Sequence, residues 1–327
     1  MARPFFPWVG SKEKLLPCIR RIMPEKLSQY VEPFGGSGAV LLSMRPRPGR
    51  LDIYNDSNAE LVNLFCCVKE RSNALLRELQ FFPLHSREEF EWYKNFLEHR
   101  AAFLENIEAE LAVLEDRDCF TEEQAAILAP ILRERARLYD VHRAAAYFKR
   151  VWGSFSGTAN SFGIKPLKLK DALERLAEAA KRLEDAVIEN KDAVKLILDR
   201  DRPDGLIYCD PPYYDAEQYY DAAFSAEDHA RLYGALKECK GYIIVSYNNC
   251  EEIRRLYSGF YHLSFTRQNP MAQQAGAVYE ELLMTNYDPR PFAGQATLFD
   301  SPLEFGGMRL SHIPEKPLKI NLKECLQ

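Results

Sequence analysis

Gly205-Leu206-Ile207-Tyr208-Cys209 carries almost no polar side chain, and the run stops at Asp210-Pro211-Pro212-Tyr213. A run of this kind is expected as a strand at the centre of a sheet covered on both faces. Proline has no backbone N–H for the ladder, so two in succession turn the chain out of the sheet after Asp210. A carboxylate therefore stands at the carboxyl end of a buried strand. Two readings fit: an Asp-Pro turn with an exposed tyrosine, or the edge of a chemical site.

The surrounding pattern alternates strand and helix. Strands are expected over 30–34, 51–56, 186–190, 242–247, 260–265 and 281–287, with helices starting at 39, 58, 171 and 192. Leu61, Leu64, Phe65 and Val68 recur at the spacing of one buried helix face. Asp171 is expected to cap the helix carrying Leu173, Leu176, Ala180 and Leu183. Strands alternating with helices imply an α/β fold with a doubly wound sheet. Ligands of such sheets bind beyond the carboxyl ends of the strands.

Residues 71–165 interrupt the pattern as a mainly helical insertion. Helices are expected over 84–103, 104–115 and 121–139, the last opened by a capping box at Thr121-Glu122-Glu123-Gln124. Residues 152–163, rich in glycine, small polar and aromatic residues, suggest a hairpin or exposed loop. The expected organisation is a discontinuous domain (1–70 and 166–288), the insertion (71–165), and a loosely packed extension (289–327).

The net charge is −5, but residues 131–170 hold nine Lys/Arg and two acids, +7 against −12 elsewhere. That segment fits either one face meeting a polyanion or a solvated helix surface beside a basic loop. The eight cysteines and six histidines show no zinc-ligand spacing, so no metal is expected. No segment is long and apolar enough for a bilayer span, and the first residues lack a signal-peptide pattern. A cytoplasmic location is the default expectation.

Three sites carry chemistry. In Glu32-Pro33-Phe34-Gly35-Gly36-Ser37-Gly38 a glycine turn joins strand to helix and lets backbone approach a ligand. The third glycine of a dinucleotide fingerprint is missing. Asp56 closes the second strand, where an acid can accept hydrogen bonds from ribose hydroxyls or cap the following helix. Asp210 with the Pro211 carbonyl can accept both N–H bonds of a planar amino group. That draws its nitrogen toward tetrahedral geometry for in-line methyl transfer, with Tyr213 available to stack on a base.

With these motifs, residues 5–287 resemble the Dam-type DNA adenine methyltransferases, in the subgroup whose cofactor motifs precede the catalytic one. Pro7-Trp8-Val9-Gly10-Ser11-Lys12 matches the family's N-terminal motif, implying that Trp8 and Lys12 contact the cofactor. The resemblance implies a Rossmann-like methyltransferase sheet and S-adenosyl-L-methionine as cofactor. Glu32, Pro33, Phe34, Gly35, Gly36, Gly38, Asp56, Asp192 and Asp210 would bind it. Asp210, Pro211, Pro212 and Tyr213 would be catalytic. The substrate would be an adenine flipped out of double-stranded DNA. The insertion would be the target-recognition subdomain, with Arg143, Lys149, Arg150, Ser156, Asn160 and Lys165 on the nucleic acid. Methylation of RNA adenine, or a non-catalytic DNA-binding protein keeping the fold, are the alternatives. Outside the resemblance, Gln295-Ala296-Thr297-Leu298-Phe299 resembles the peptide with which bacterial proteins dock on the replication sliding clamp; back-packing of Leu298 and Phe299 is the other reading.

Overall fold

The computed structural model describes residues 2–81, 86–154, 157, 162–163, 168–214, 224–268, 278–293, 304–305, 307–315 and 318. The chain divides into two compact units, one of residues 11–57 and 185–327, the other of residues 2–10 and 58–184. The divisions fall after Ser57 and Glu184 rather than near residues 70 and 165. The helices flanking the insertion pack on it and so belong with it.

Among the described residues, the first unit is built on a nine-stranded sheet. Its strands are β1 (Gln29–Glu32), β2 (Leu51–Asn55), β3 (Val187–Glu189), β4 (Gly205–Cys209), β5 (Tyr242–Asn248), β6 (Tyr261–Gln268), β7 (Val278–Thr285), β8 (Glu304–Phe305) and β9 (Met308–His312). They lie in the order β3-β2-β1-β4-β5-β7-β6-β9-β8. The first five run parallel, and β7 is antiparallel to both β5 and β6. The chain winds from β1 outward to β3, then crosses to the other side of β1 to lay down β4. The topological switch point therefore lies between the carboxyl ends of β1 and β4, where the glycine turn and Asp210 begin.

All five residues of β4 are buried, as its composition demands. On one face Val31, Ile53, Ile207, Cys209, Ile243, Val245 and Tyr247 form a core with Leu196 and Ile197 of helix α9 (Ala193–Arg200). Leu232 and Leu236 of α10 (Ala226–Glu238) and Ile253 of α11 (Glu251–Leu256) complete it. Helices α1 (Leu16–Ile22) and α2 (Ala39–Ser43) also belong to this unit. The Tyr287 hydroxyl donates to the Ile22 carbonyl at 2.6 Å, tying α1 to the end of β7.

The expectation of a loosely packed extension after residue 288 is corrected for its described part. Strand β9 pairs antiparallel with β6, and Met308 and Leu310 are buried. A neighbouring strand edge distant in sequence supplies the partner that the Pro/Gly-rich composition did not reveal. On β6, the buried His262 donates Nε2–H to the Tyr257 carbonyl at 2.8 Å beside the His312 ring. Burial lowers its pKa from the ordinary 6.5 to about 4. Below pH 6.5 the unfolded chain takes up a proton that the folded chain refuses until about pH 4. Stability should therefore fall as pH drops through that window. Chemical denaturation of His262→Gln should show a shallower decline than the unmodified protein; equal slopes would show that His262 does not contribute.

The second unit holds α3 (Ala59–Glu70), α4 (Ser72–Phe81), α5 (Arg87–Glu98), α6 (Arg100–Val113), α7 (Glu122–Trp152) and α8 (Leu169–Leu183). Helix α7 is its axis, with α3, α4, α5 and α6 packed along it. Its N-terminus is the expected capping box, with the Thr121 side chain accepting from the Gln124 N–H and the Gln124 side chain from the Thr121 N–H. The helix runs 31 residues, past the expected end at 139 and through an exposed Pro130. Residues 144–148 are buried and non-polar, and they carry it onward. Phe5 packs against Phe65 and Phe148, and Trp152 donates its indole N–H to the Phe5 carbonyl at 3.1 Å. Helix α8 begins at Leu169 with Lys168 as its N-cap and no side-chain cap bond. Asp171 thus sits inside the first turn rather than at the cap, where its charge still favours the helix dipole.

Candidate active site

The glycine turn is built from backbone and braced by β2. Gly38 and Gly36 take positive φ (64° and 48°), which glycine adopts without steric cost. A Cβ on Gly35 would lie 2.2 Å from the Tyr54 ring, so no side chain fits there. The Tyr54 hydroxyl donates to the Gly36 carbonyl at 2.8 Å, and the Gly35 N–H to the Asn55 carbonyl at 2.7 Å. Glu32 is buried and accepts from the Leu41 N–H at 3.1 Å, satisfying an amide in the first turn of α2.

Asp56 meets this turn directly: its carboxylate accepts from the Gly36 N–H at 2.9 Å. The helix-capping alternative for Asp56 is overturned, because the Asn58 side chain caps α3 by accepting from the Glu60 and Leu61 N–H groups. Asn55 was not singled out by sequence, yet it fastens three strand ends together. Its amide nitrogen donates to the carbonyls of Pro33 and Lys191, and its amide oxygen accepts from the Lys191 N–H. The signal was its place as the last residue of β2, beside a turn already under suspicion.

Asp210 leaves β4 next to this turn across the switch point. Its carboxylate receives the Lys12 ammonium at 2.7 Å, with the two side chains only 19% and 4% exposed. Charge-assisted bonds in such surroundings are short and directional. Lys12 Nζ also lies 5.0 Å from the centre of the Tyr213 ring. Lys12 therefore reaches the Asp210 carboxylate; the two are 198 residues apart, and no local pattern announces such a pair. The Ser11 and Ser37 hydroxyls bond at 3.2 Å, holding the Lys12 segment to the glycine turn.

Tyr213 is buried, and its hydroxyl lies 3.1 Å from Ser246 Oγ on β5. Burial, reinforced by the charge of Asp210, pushes its phenol well above the ordinary range, so it stays a neutral hydroxyl. Asn248 donates to the Tyr214 carbonyl at 3.0 Å and pins the chain just past the tetrapeptide. Ser246 and Asn248 were missed by sequence reasoning, although they stand at the carboxyl end of the strand beside β4.

The other expected residues have partners of their own. Asp192 is the N-cap of α9 through the Lys195 N–H and pairs with Arg231, which holds its carboxyl below the usual range. Trp8 belongs to the helical unit, packed edge-on against Phe6. Arg143 and Lys149 are corrected as nucleic-acid contacts. Arg143 is 0% exposed, bonded to Asp140 and Glu60 at 2.5 Å each, and Lys149 is buried against Glu89 at 3.1 Å. Both spend their charge inside the helical unit. Arg150 is half-buried, while Arg133, Arg135 and Arg137 are exposed. Ser154 and Phe162 form an antiparallel bridge. Ser156, Asn160, Lys165 and residues 295–299 lie outside the described residues. No helix among the described residues is long and apolar enough to cross a membrane.

Comparison with known proteins bears on the same motifs. A family model described as D12 class N6 adenine-specific DNA methyltransferase matches residues 8–271. The chain belongs to this family. The match spans Trp8, Lys12, the glycine turn, Asp56 and the Asp210 turn. The type II methyltransferase M1.LlaDCHI of Lactococcus lactis subsp. cremoris is 26% identical over 310 residues, covering 87% of this chain and 95% of that protein. The DNA adenine methylase of Vibrio cholerae serotype O1 is 25% identical over 287 residues, 84% of this chain and 91% of its own. The type II methyltransferase M.CviBI of Paramecium bursaria Chlorella virus NC1A is 20% identical over 286 residues, 87% and 97% respectively. The protein is a DNA adenine methyltransferase, and its mainly parallel sheet flanked by helices is consistent with a methyltransferase fold.

Proposed function

We propose that Asp210, with Pro211, Pro212 and Tyr213, acts directly on the amino group of an adenine turned out of duplex DNA, and that S-adenosyl-L-methionine is the methyl donor. The observation that carries this reading is the Lys12–Asp210 pair at the switch point, with the glycine turn one strand away and Asp56 bonded to that turn from the next strand. The residues fit the donor's chemistry. Gly36 and Gly38 bring backbone close, and Asp56 stands at the end of β2 where a ribose would lie. When bound, the donor supplies an electrophilic methyl group on a sulfonium.

The protein's own share is positioning and charge. The Asp210 carboxylate accepts one amino hydrogen and the Pro211 carbonyl the other, which draws the nitrogen toward tetrahedral geometry and frees its lone pair from conjugation with the ring. Positive charge then develops on the nitrogen, and the fixed Asp210 anion offsets it. Lys12 holds that anion in one orientation. Ser246 holds Tyr213, so the wall of the base site is set before substrate arrives.

The helical unit is proposed to meet the DNA through its exposed cations Arg133, Arg135 and Arg137, together with Arg150. Ser156, Asn160 and Lys165 stay candidates from sequence alone. No observation favours the clamp peptide or an RNA substrate.

Two variants test the division of labour. Asp56→Ala should weaken binding of S-adenosylhomocysteine about tenfold or more, as expected for losing charge-assisted bonds, with duplex affinity unchanged. Arg133→Ala/Arg137→Ala should weaken duplex binding and flatten its salt dependence, with cofactor affinity unchanged. Calorimetry and salt-titrated binding read the two. An unaltered cofactor affinity in the first, or an unaltered salt slope in the second, would remove that residue from its assigned role.

A further inference from the structure

His229 sits in the first turn of α10, 1% exposed, in a cluster of aromatic rings. Its Nδ1 lies 2.7 Å from the Tyr247 hydroxyl at the carboxyl end of β5. Its ring centre is 4.7 Å from Phe224, which meets it edge-on, and 5.4 Å from Tyr214. Each of these partners leads to the active site. Phe224 packs edge-on against Phe34 of the glycine turn at 5.8 Å, and Tyr247 lies 6.1 Å from Tyr213. Tyr214 directly follows the catalytic tetrapeptide. One imidazole thus touches the rings that back the glycine turn and those that back the Asp210 turn.

Packing alone does not call for histidine here. Burial lowers its pKa, so the ring is neutral and offers one donor and one acceptor. Nδ1 is used by Tyr247, whereas Nε2 is buried without a hydrogen-bond partner among the described residues. A buried polar atom left in that state is destabilising. An apolar side chain of similar size would fill the space without that cost. What it would lack is the directed bond to Tyr247.

We propose that His229 is a positioning residue for methyl transfer: by holding the Tyr247 hydroxyl and the Phe224 ring, it fixes the aromatic wall that joins the catalytic turn to the glycine turn. The inference rests on the reading of the Asp210 turn as the reaction centre. It assigns His229 no contact with the base and no proton transfer.

The test compares His229→Leu, Tyr247→Phe, their double variant and His229→Asn, measuring kcat on duplex DNA, S-adenosylhomocysteine affinity and melting temperature. His229→Leu and Tyr247→Phe should each lower kcat about tenfold, the scale of a small misplacement of reacting groups. The double variant should be no slower than His229→Leu, because both remove the same bond. His229→Asn keeps a polar atom near Nδ1 and should recover kcat to within about threefold, with cofactor affinity near the unmodified value throughout. A role in packing alone would lower the melting temperature and leave kcat untouched, which would overturn the proposal. Additive losses in the double variant would overturn it too. Should His229→Leu fail to fold, an unchanged kcat in Tyr247→Phe is sufficient to overturn it. An unmodified protein that transfers no methyl group in the same assay would overturn the reading of the site, and this inference with it.

Discussion

Asp210→Ala is expected to slow methyl transfer to duplex DNA by about 10³-fold or more, the scale of removing a preorganised electrostatic group from a transition state. DNA and cofactor binding should largely persist, because the variant leaves the glycine turn, Asp56 and the exposed arginines in place. The separation matters, because a loss of binding with an intact turnover rate would make Asp210 a binding residue only. The variant also leaves Lys12 beside a truncated partner, so its melting temperature should fall. Steady-state methylation with labelled cofactor, run beside equilibrium DNA binding, distinguishes these outcomes.

Lys12→Met is the second large effect. It leaves the Asp210 carboxylate, 19% exposed, without the ammonium that lies 2.7 Å away. Removing one member of a largely buried pair is expected to cost about 2–3 kcal/mol of stability here, below the fully buried range because Asp210 keeps some solvent. Turnover should fall about 10²-fold, because the carboxylate loses the ammonium that orients it toward the amino group. The double variant Lys12→Met/Asp210→Ala should be less destabilised than the sum of the singles, since it removes a pair rather than stranding one charge. Denaturant melts of the four proteins measure this coupling. Strict additivity would show that the pair contributes no interaction of its own.

What the sequence revealed depended on whether the signal was local. Residues 205–209 read as a central strand because every side chain there must be buried, and the two prolines dictated the exit at Asp210. The glycine turn was legible for a similar reason, since positive φ at Gly36 and Gly38 calls for glycine. Burial and long-range pairing were not legible. Arg143 and Lys149 look like surface cations by composition, and only the packing of α7 shows that Glu60, Asp140 and Glu89 consume their charge. Lys12 and Asp210 meet across 198 residues of chain. The pairing of β9 with β6 depends equally on a distant edge. Asp56 and Asn58 illustrate the finer difficulty, as either could cap α3 by residue type, and two residues of offset decide which one faces the glycine turn.

The central claim, that the Asp210 turn methylates adenine in DNA, is tested most directly by long-read mapping of modified bases. The DNA would come from cells expressing the unmodified protein and, in parallel, Asp210→Ala. N6-methyladenine is expected at one recurring sequence in the first sample, and its loss is expected in the second. Modified cytosine in place of adenine, or adenine methylation that survives Asp210→Ala, would contradict it.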